Sequence, residues 1–315
     1  MYVLNRGTNA RHRDLPDAVV SLTADIADPK TIQSAIGDLE FQSVVNFLSF
    51  DASDARRAVD IFGGRTAQYI HISTASMYHK PILQVPITES NARQNRFLSY
   101  ARDKIEVEDL LMDAYSRDDF PTTIVRPSHT YDTASPPLPG GWTVFDRIER
   151  GAEMVVHGDG TSLWTLTHAA DLAVGLAGLV GNARAIGEAF HITSDDVYTW
   201  DQIYALVADS LGVQAHLVHA TSNRSSPPRR NGGWSELFLG DLGHSAIFDN
   251  SKIKRYVPDF SPKRTFVRSV VEMAQWRREN PSLAAGEPLA ESVYDRMAKG
   301  YHASRAIFED LGGSA

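Results

Sequence analysis

The chain has 315 residues, 43% of them hydrophobic and 22% charged, with a formal net charge of −8. That composition excludes a disordered or collagen-like chain, and the acidic balance makes nucleic acid a poor partner. No cysteine is present, which excludes disulfides, thiolate nucleophiles and Cys-ligated metal and fits a reducing, cytoplasmic setting.

At roughly 150 residues per domain, the length allows about two domains. No apolar run of about 18 residues occurs, so no transmembrane helix is expected. Tyr2 to Asn5 reads as a short strand broken by Arg6-Gly7, and Val19 to Thr23 as a second, followed by Asp25 and Asp28. A helix is predicted over Thr31 to Leu39, a buried strand over Ser43 to Phe50 and a helix over Asp54 to Phe62. Gln68 to Ser73 is again a strand; Tyr100 to Tyr115 carries Ile105, Val107, Leu110, Leu111 and Ala114 at helical spacing; Thr122 to Arg126 is a strand closed by Pro127. Alternating strands and helices predict βαβ units, a parallel sheet and an α/β layered domain. Ligands of such sheets bind beyond the C-terminal strand ends, so the chemistry belongs after Asn5, Phe50, Ser73 and Arg126.

The Pro/Gly segment Ser135 to Trp142 interrupts this pattern. Beyond it lie a helix over Thr143 to Arg150, a strand near Met154 to His157 and the turn Gly158-Asp159-Gly160. Helices follow from Asp171 to Val180 and over residues 199–212, then a polar loop with Arg224, Arg229 and Arg230, and a helical tail from Asn280.

Tyr100 and Lys104 stand four apart and share one helix face. A free phenol titrates near ~10, and a neighbouring ammonium stabilises the phenolate and lowers that value. The pair can therefore serve as a general acid/base for a carbinol or carbonyl oxygen. Thr74, beside Ser73 and Ser76 at the end of the QYIHIS strand, can supply a hydroxyl to the same oxygen. No Gly-x-Ser-x-Gly elbow and no His-Glu-x-x-His motif occurs, so a serine hydrolase or zincin has no support.

The order His71-Ile72-Ser73-Thr74-Ala75-Ser76-Met77-Tyr78, Tyr100-x-x-x-Lys104, Ile124-Val125-Arg126-Pro127, Gly158-Asp159-Gly160, His168-x-x-Asp171 and Phe190-His191-Ile192-Thr193 resembles the extended short-chain dehydrogenase/reductases, the NAD-dependent epimerase/dehydratase family. The resemblance covers at least residues 2–275. It implies a Rossmann-type doubly wound parallel sheet with a smaller substrate-binding lobe. Residues 1–134, with 165–195 returning, would form the dinucleotide domain; 135–164 and 196–315 would form the lobe. It implies an NAD(P)-dependent oxidoreductase or epimerase acting on a small-molecule carbinol or carbonyl, with Tyr100 as acid/base, Thr74 polarising the oxygen and Lys104 on the nicotinamide ribose. Asp25 and Ile26 would meet the adenine, Leu48 and Ser49 would line the cofactor, and Pro127 would touch its nicotinamide end. Ser76, Tyr78, His129 and Trp164 are the implied substrate contacts. Arg6, with Asn5 in place of an acidic residue, favours NADP over NAD. Family members are often dimers through a bundle that includes the Tyr100 helix.

Three features depart from the family. No Gly-x-x-Gly-x-x-Gly turn follows any strand, and the chain opens at what resembles the family's second strand, so a βα unit of roughly 25–30 residues is missing. Without that central strand the sheet must close up or leave two unpaired edges. Either the sequence starts at an internal Met, or the cofactor has been abandoned; the intact Thr74, Tyr100 and Lys104 favour the first. Trp164 stands where nucleotide-sugar members carry a diphosphate-binding Arg, which puts that substrate in doubt. Asp132 follows Tyr131 where the family has Gly. Two rivals stay open: a cofactor-free isomerase or cyclase on the same scaffold, and a non-catalytic relative of the chloroplast stem-loop RNA-binding proteins. His168 with Asp171 is expected to be a helix-start turn, with Asp171 as the cap, rather than a metal pair.

Overall fold

The computed structural model describes residues 1–7, 15–220 and 233–312, so the basic loop with Arg224, Arg229 and Arg230 lies outside the described residues. Strands β1 (Tyr2–Asn5) and β2 (Val20–Thr23) are followed by α1 (Pro29–Ile36). Asp28 caps this helix on the Lys30 N–H, and Pro29 supplies a first-turn residue that needs no N–H partner. Next come β3 (Val44–Asn46), α2 (Ala52–Phe62, capped by Asp51), β4 (Tyr69–Ile72), the long α3 (Ser99–Asp118) and β5 (Thr122–Pro127).

The apolar run Ser43 to Phe50 is strand over only three residues. Asn46 ends it: its Oδ1 accepts the Leu48 N–H at 2.7 Å, while its Nδ2 donates to Ser49 Oγ at 3.0 Å and Tyr69 Oη at 2.7 Å. A side chain that captures the backbone two residues on takes that backbone out of the ladder.

The second half runs β6 (His129–Tyr131), α4 (Trp142–Glu149), β7 (Glu153–His157), β8 (Leu163–Trp164), β9 (Leu166–His168), α5 (Ala169–Leu179) and β10 (Ala189–Ile192). Then follow β11 (Tyr198–Thr199), α6 (Trp200–Leu211), β12 (His216–Ala220), α7 (Trp234–Leu237), a π-helical turn over Phe238–Leu242, α8 (Ser251–Tyr256), α9 (Phe266–Glu279) and α10 (Pro288–Gly312). His168, not Asp171, caps α5 by accepting the Ala170 N–H at 3.0 Å; Asp171 instead accepts the Lys263 and Arg264 N–H groups. Among the described residues no cluster of His, Cys, Asp and Glu could hold a metal, and no helix is long and apolar enough to cross a membrane.

The main sheet is parallel, in the order β10-β5-β4-β3. Its centre is covered on both faces, as parallel sheets require. Tyr69 on β4 points to a cluster with Ile32, Ala55, Val107 and Leu111 from α1, α2 and α3; Ile70 and Ile72 point the other way, to Leu172, Phe190 and Ile253. Strands β1 and β2 form a separate parallel pair, so among the described residues neither β1 nor β3 has a second neighbour. The sheet has not closed up. A further core gathers Val144, Phe145, Met154, Trp200, Met273 and Tyr294 from the second half.

Candidate active site

Three strand ends and one helix build the site. At the end of β4, Thr74 is buried and its Oγ1 accepts the Ser76 N–H at 3.1 Å, which leaves its hydroxyl hydrogen free to donate elsewhere. Facing it, Tyr100, Lys104 and Glu108 follow one another at four-residue intervals along one stripe of α3. Each has a different task.

Tyr100 is 39% exposed, by far the most open of the three. Burial pushes its phenol up, hydrogen bonding to Thr74 pulls it down, the Asp241 carboxylate pushes it up, and the net direction is up. Lys104 is not among the groups that set this direction, in contrast to the expected lowering. The reason is geometric. Lys104 Nζ is buried at 1% exposure and donates to Ser49 O at 2.7 Å and Ile72 O at 2.9 Å, with the Phe50 ring 4.9 Å away. Burial brings its ammonium down to about 8, against the pull of Glu108 and Asp54 in the other direction. Glu108 ends the stripe in a bidentate pair with Arg126, at 2.9 and 2.6 Å. That pair fixes the Arg-Pro end of β5 and so the place of half-buried Pro127.

The positions expected to meet a dinucleotide lie along the strand ends, and not all are equally free. Ser49 is buried and spends its carbonyl on Lys104, while Leu48 is exposed and flanked by exposed Phe47 and Phe50. Asp25 holds its own turn through the Ala27 N–H at 3.0 Å, and Ile26 packs against the α1–α2 cluster. Arg6 is exposed at the end of β1, just before Gly7, whose φ of +70° suits glycine.

Of the four expected substrate contacts, two are displaced inward. Tyr78 is 1% exposed, its hydroxyl held by His191 Nε2 at 2.5 Å and Arg126 Nη1 at 2.9 Å. Trp164 is equally buried, donates from Nε1 to Leu242 O at 3.1 Å, and packs against His129, whose ring centroid is 4.5 Å away. Ser76 and His129 are half-buried and converge on one carboxylate, Asp241 Oδ2, at 2.7 and 3.1 Å. Asp241 and its buried partner Lys80, 3.6 Å from Oδ1, had no sequence signal. The carboxylate is joined to its partners only by folding, across 112 to 165 residues of chain.

A family model described as the NAD dependent epimerase/dehydratase family matches residues 1–193. The chain belongs to that family. Membership bears out an enzyme of the NAD(P)-dependent epimerase, dehydratase and reductase class on an α/β fold with parallel sheets. Among curated proteins, it is 24% identical over 267 residues to a 2'-dehydrokanamycin reductase of Streptomyces kanamyceticus, covering 83% of this chain and 73% of the relative. It is 25% identical over 207 residues to a chloroplast stem-loop binding protein of Arabidopsis thaliana, covering 65% of this chain and 52% of that one. Among solved structures, the dTDP-glucose 4,6-dehydratase DesIV of Streptomyces venezuelae, determined with NAD bound, superposes with a TM-score of 0.68 at 20% identity, over 89% of this chain and 88% of that one. That likeness is one of fold.

Proposed function

We propose that this enzyme uses a nicotinamide dinucleotide to interconvert a carbinol and a carbonyl on a hydroxylated ring, with Tyr100 as the acid/base. The observation that carries the reading is the pairing of an open phenol, Tyr100, with a buried hydroxyl, Thr74, at the carboxyl end of the central strand. Two hydroxyls close enough to hydrogen-bond each other are what a substrate oxygen needs: one to donate a hydrogen bond, one to move the proton.

The donor set fits the nicotinamide end of such a cofactor. Exposed Phe47, Leu48 and Phe50 offer an apolar shelf beside the Lys104 ammonium. Lys104 would take the ribose, and Pro127 would bound the ring. Arg6 would take a 2′-phosphate, so we favour NADP over NAD. When bound, the nicotinamide supplies or accepts the hydride. In the reducing direction Thr74 donates to the carbonyl oxygen and Tyr100 gives it the proton. The upward shift of the phenol keeps Tyr100 protonated for that task, and ribose-induced movement of Lys104 towards it would lower it for the reverse direction. In this reading residues 1–134 with 165–195 hold the dinucleotide, and 135–164 with 196–315 cover the substrate. The curated reductase supports a ketone on an amino-sugar ring, and the absence of an Arg at Trp164 argues against a diphosphate handle.

The test is a titration of the full chain with NADPH and NADH by fluorescence, followed by NADPH oxidation with 2'-dehydrokanamycin, 2-hydroxycyclohexanone and cyclohexanone. Saturable binding and reduction of a ring ketone are expected. Tyr100→Phe should keep binding and lose turnover by about 10²–10⁴-fold. Absence of any saturable fluorescence change would overturn the proposal and favour a cofactor-free enzyme.

A further inference from the structure

Beside the two hydroxyls stands one device that the carbonyl chemistry does not use. Asp241 lies on the π-helical turn Phe238–Leu242, its side chain 3% exposed. Its Oδ2 accepts from Ser76 Oγ at 2.7 Å and meets His129 Nε2 at 3.1 Å, and its Oδ1 faces the buried Lys80 ammonium at 3.6 Å. Asn95 locks the arrangement by donating to both Ser76 O, at 2.7 Å, and Gly240 O, at 2.6 Å. Burial alone would push Asp241 up, but the His129 hydrogen bond, Lys80 and Ser76 more than offset this, so it stays ionised.

An ionised carboxylate only accepts hydrogen bonds. In the neutral imidazole, the nitrogen that faces it is the one that carries the proton, which makes Nδ1 the acceptor; among the described residues Nδ1 has no hydrogen-bond partner. The Trp164 ring packs against the imidazole in a T-shaped contact, 4.5 Å between centroids, and the His129 side chain is still 26% exposed. His129 lies two residues beyond Pro127, at the same sheet end as Thr74, and Tyr100 itself responds to Asp241. An oriented imidazole backed by a buried carboxylate is an arrangement for moving protons.

We propose that His129 is a second acid/base group of this site, which takes a proton from the carbon next to the substrate carbonyl and returns one to it, with Asp241 as its positioning residue. The proposal rests on the carbonyl reading, since the same oxygen must sit against Tyr100 and Thr74. The C–H bond breaks and its electron pair passes into the enolate, whose oxygen is held by the two hydroxyls. The proton goes to Nδ1, and Asp241 stabilises the imidazolium. Return of a proton from the same nitrogen to the face it left regenerates the ketone, so the net result is hydrogen exchange with no oxidant consumed.

Two measurements test this. The first needs no substrate. In the full chain labelled with ¹⁵N-histidine, the signals lost in His129→Gln should show the Nε2–H tautomer in the wild type and a tautomer mixture in Asp241→Asn. A wild-type Nδ1–H tautomer would overturn the proposal. The second follows deuterium wash-in to 2-hydroxycyclohexanone in ²H₂O with NADP, which cannot reduce it. Exchange should fall by about 10²-fold or more in His129→Gln. In His129→Ala, added imidazole should restore it above the rate with imidazole alone, which a structural role would not allow. Reduction of this ketone by NADPH without wash-in, or equal wash-in in wild type and His129→Gln, overturns the acid/base role and leaves the reductase reading intact. Loss of both reduction and wash-in in the wild type overturns the two together.

Discussion

The four-stranded sheet and the β1–β2 pair are both parallel, yet they are anchored very differently. Every residue of β4 is buried, and β5 is buried up to Pro127; β1 and β2 have no fully buried residue at all. Beneath β4 and β5 runs a network of charged and polar groups, Arg93, Glu108, Arg126, Tyr78 and His191, each with a partner. Beneath β1 and β2 lies one apolar layer, shared with α1 and α2. The half proposed to carry the proton chemistry is thus densely braced. The half expected to meet the adenine and phosphates is held mainly by Leu4, Leu22, Ala24 and their few neighbours.

The largest effect should come from breaking the anchored half. Arg126→Met leaves the Glu108 carboxylate buried without its bidentate partner and should cost about 3–5 kcal/mol in urea unfolding. The double change Arg126→Met with Glu108→Leu should recover part of that. A loss under about 1 kcal/mol would mean the network is incidental.

Acid should act on the same interior. Burial holds His191 on β10 at about 3 and His157 on β7 at about 4. Between the ordinary histidine value near ~6.5 and those values, the unfolded chain binds protons that the native chain refuses. Native stability is therefore full above about pH 6.5 and falls by about 1.4 kcal/mol per pH unit for each histidine as the pH drops towards 4. Denaturant midpoints from pH 7 to 5 measure the slope, and His191→Gln should flatten it.

In the thinner half the effects are smaller. Leu22→Ala should cost about 1–1.5 kcal/mol, because the side chain is only half-buried. Amides of β1 and β2 should exchange with solvent well before those of β4 and β5, as segments with few buried contacts open locally. Equal protection in both would show that the two sheets unfold as one unit. Smallest of all, Arg6→Ala should lower any preference for NADPH over NADH by about 3–5-fold, the scale of an exposed charge contact.

Much of the anchored half was legible in the sequence. Thr74, Tyr100, Lys104 and Arg126-Pro127 occur in local motifs whose spacing already fixes a strand end or a helix stripe, and the α/β alternation was readable from the apolar runs. What escaped has a common cause. The length of β3 depends on the Asn46 side chain, which an apolar count reads only as an interruption. The inward position of Tyr78 and Trp164 depends on partners far along the chain, His191 and Leu242. Asp241 and Lys80 look like ordinary surface charges until folding brings them together. Tyr-x-x-x-Lys placed two residues on one helix stripe, but not that the ammonium is committed to backbone carbonyls.

That commitment reaches beyond the reaction. Lys104 spans the carbonyls after β3 and β4 as a cross-brace, with an aromatic ring close to its ammonium. An acylating enzyme would first have to pull this amine off both carbonyls of the native chain. Acetylation found at Lys104 would therefore mark molecules modified before they finished folding, and would leave the β3–β4 end without its strut.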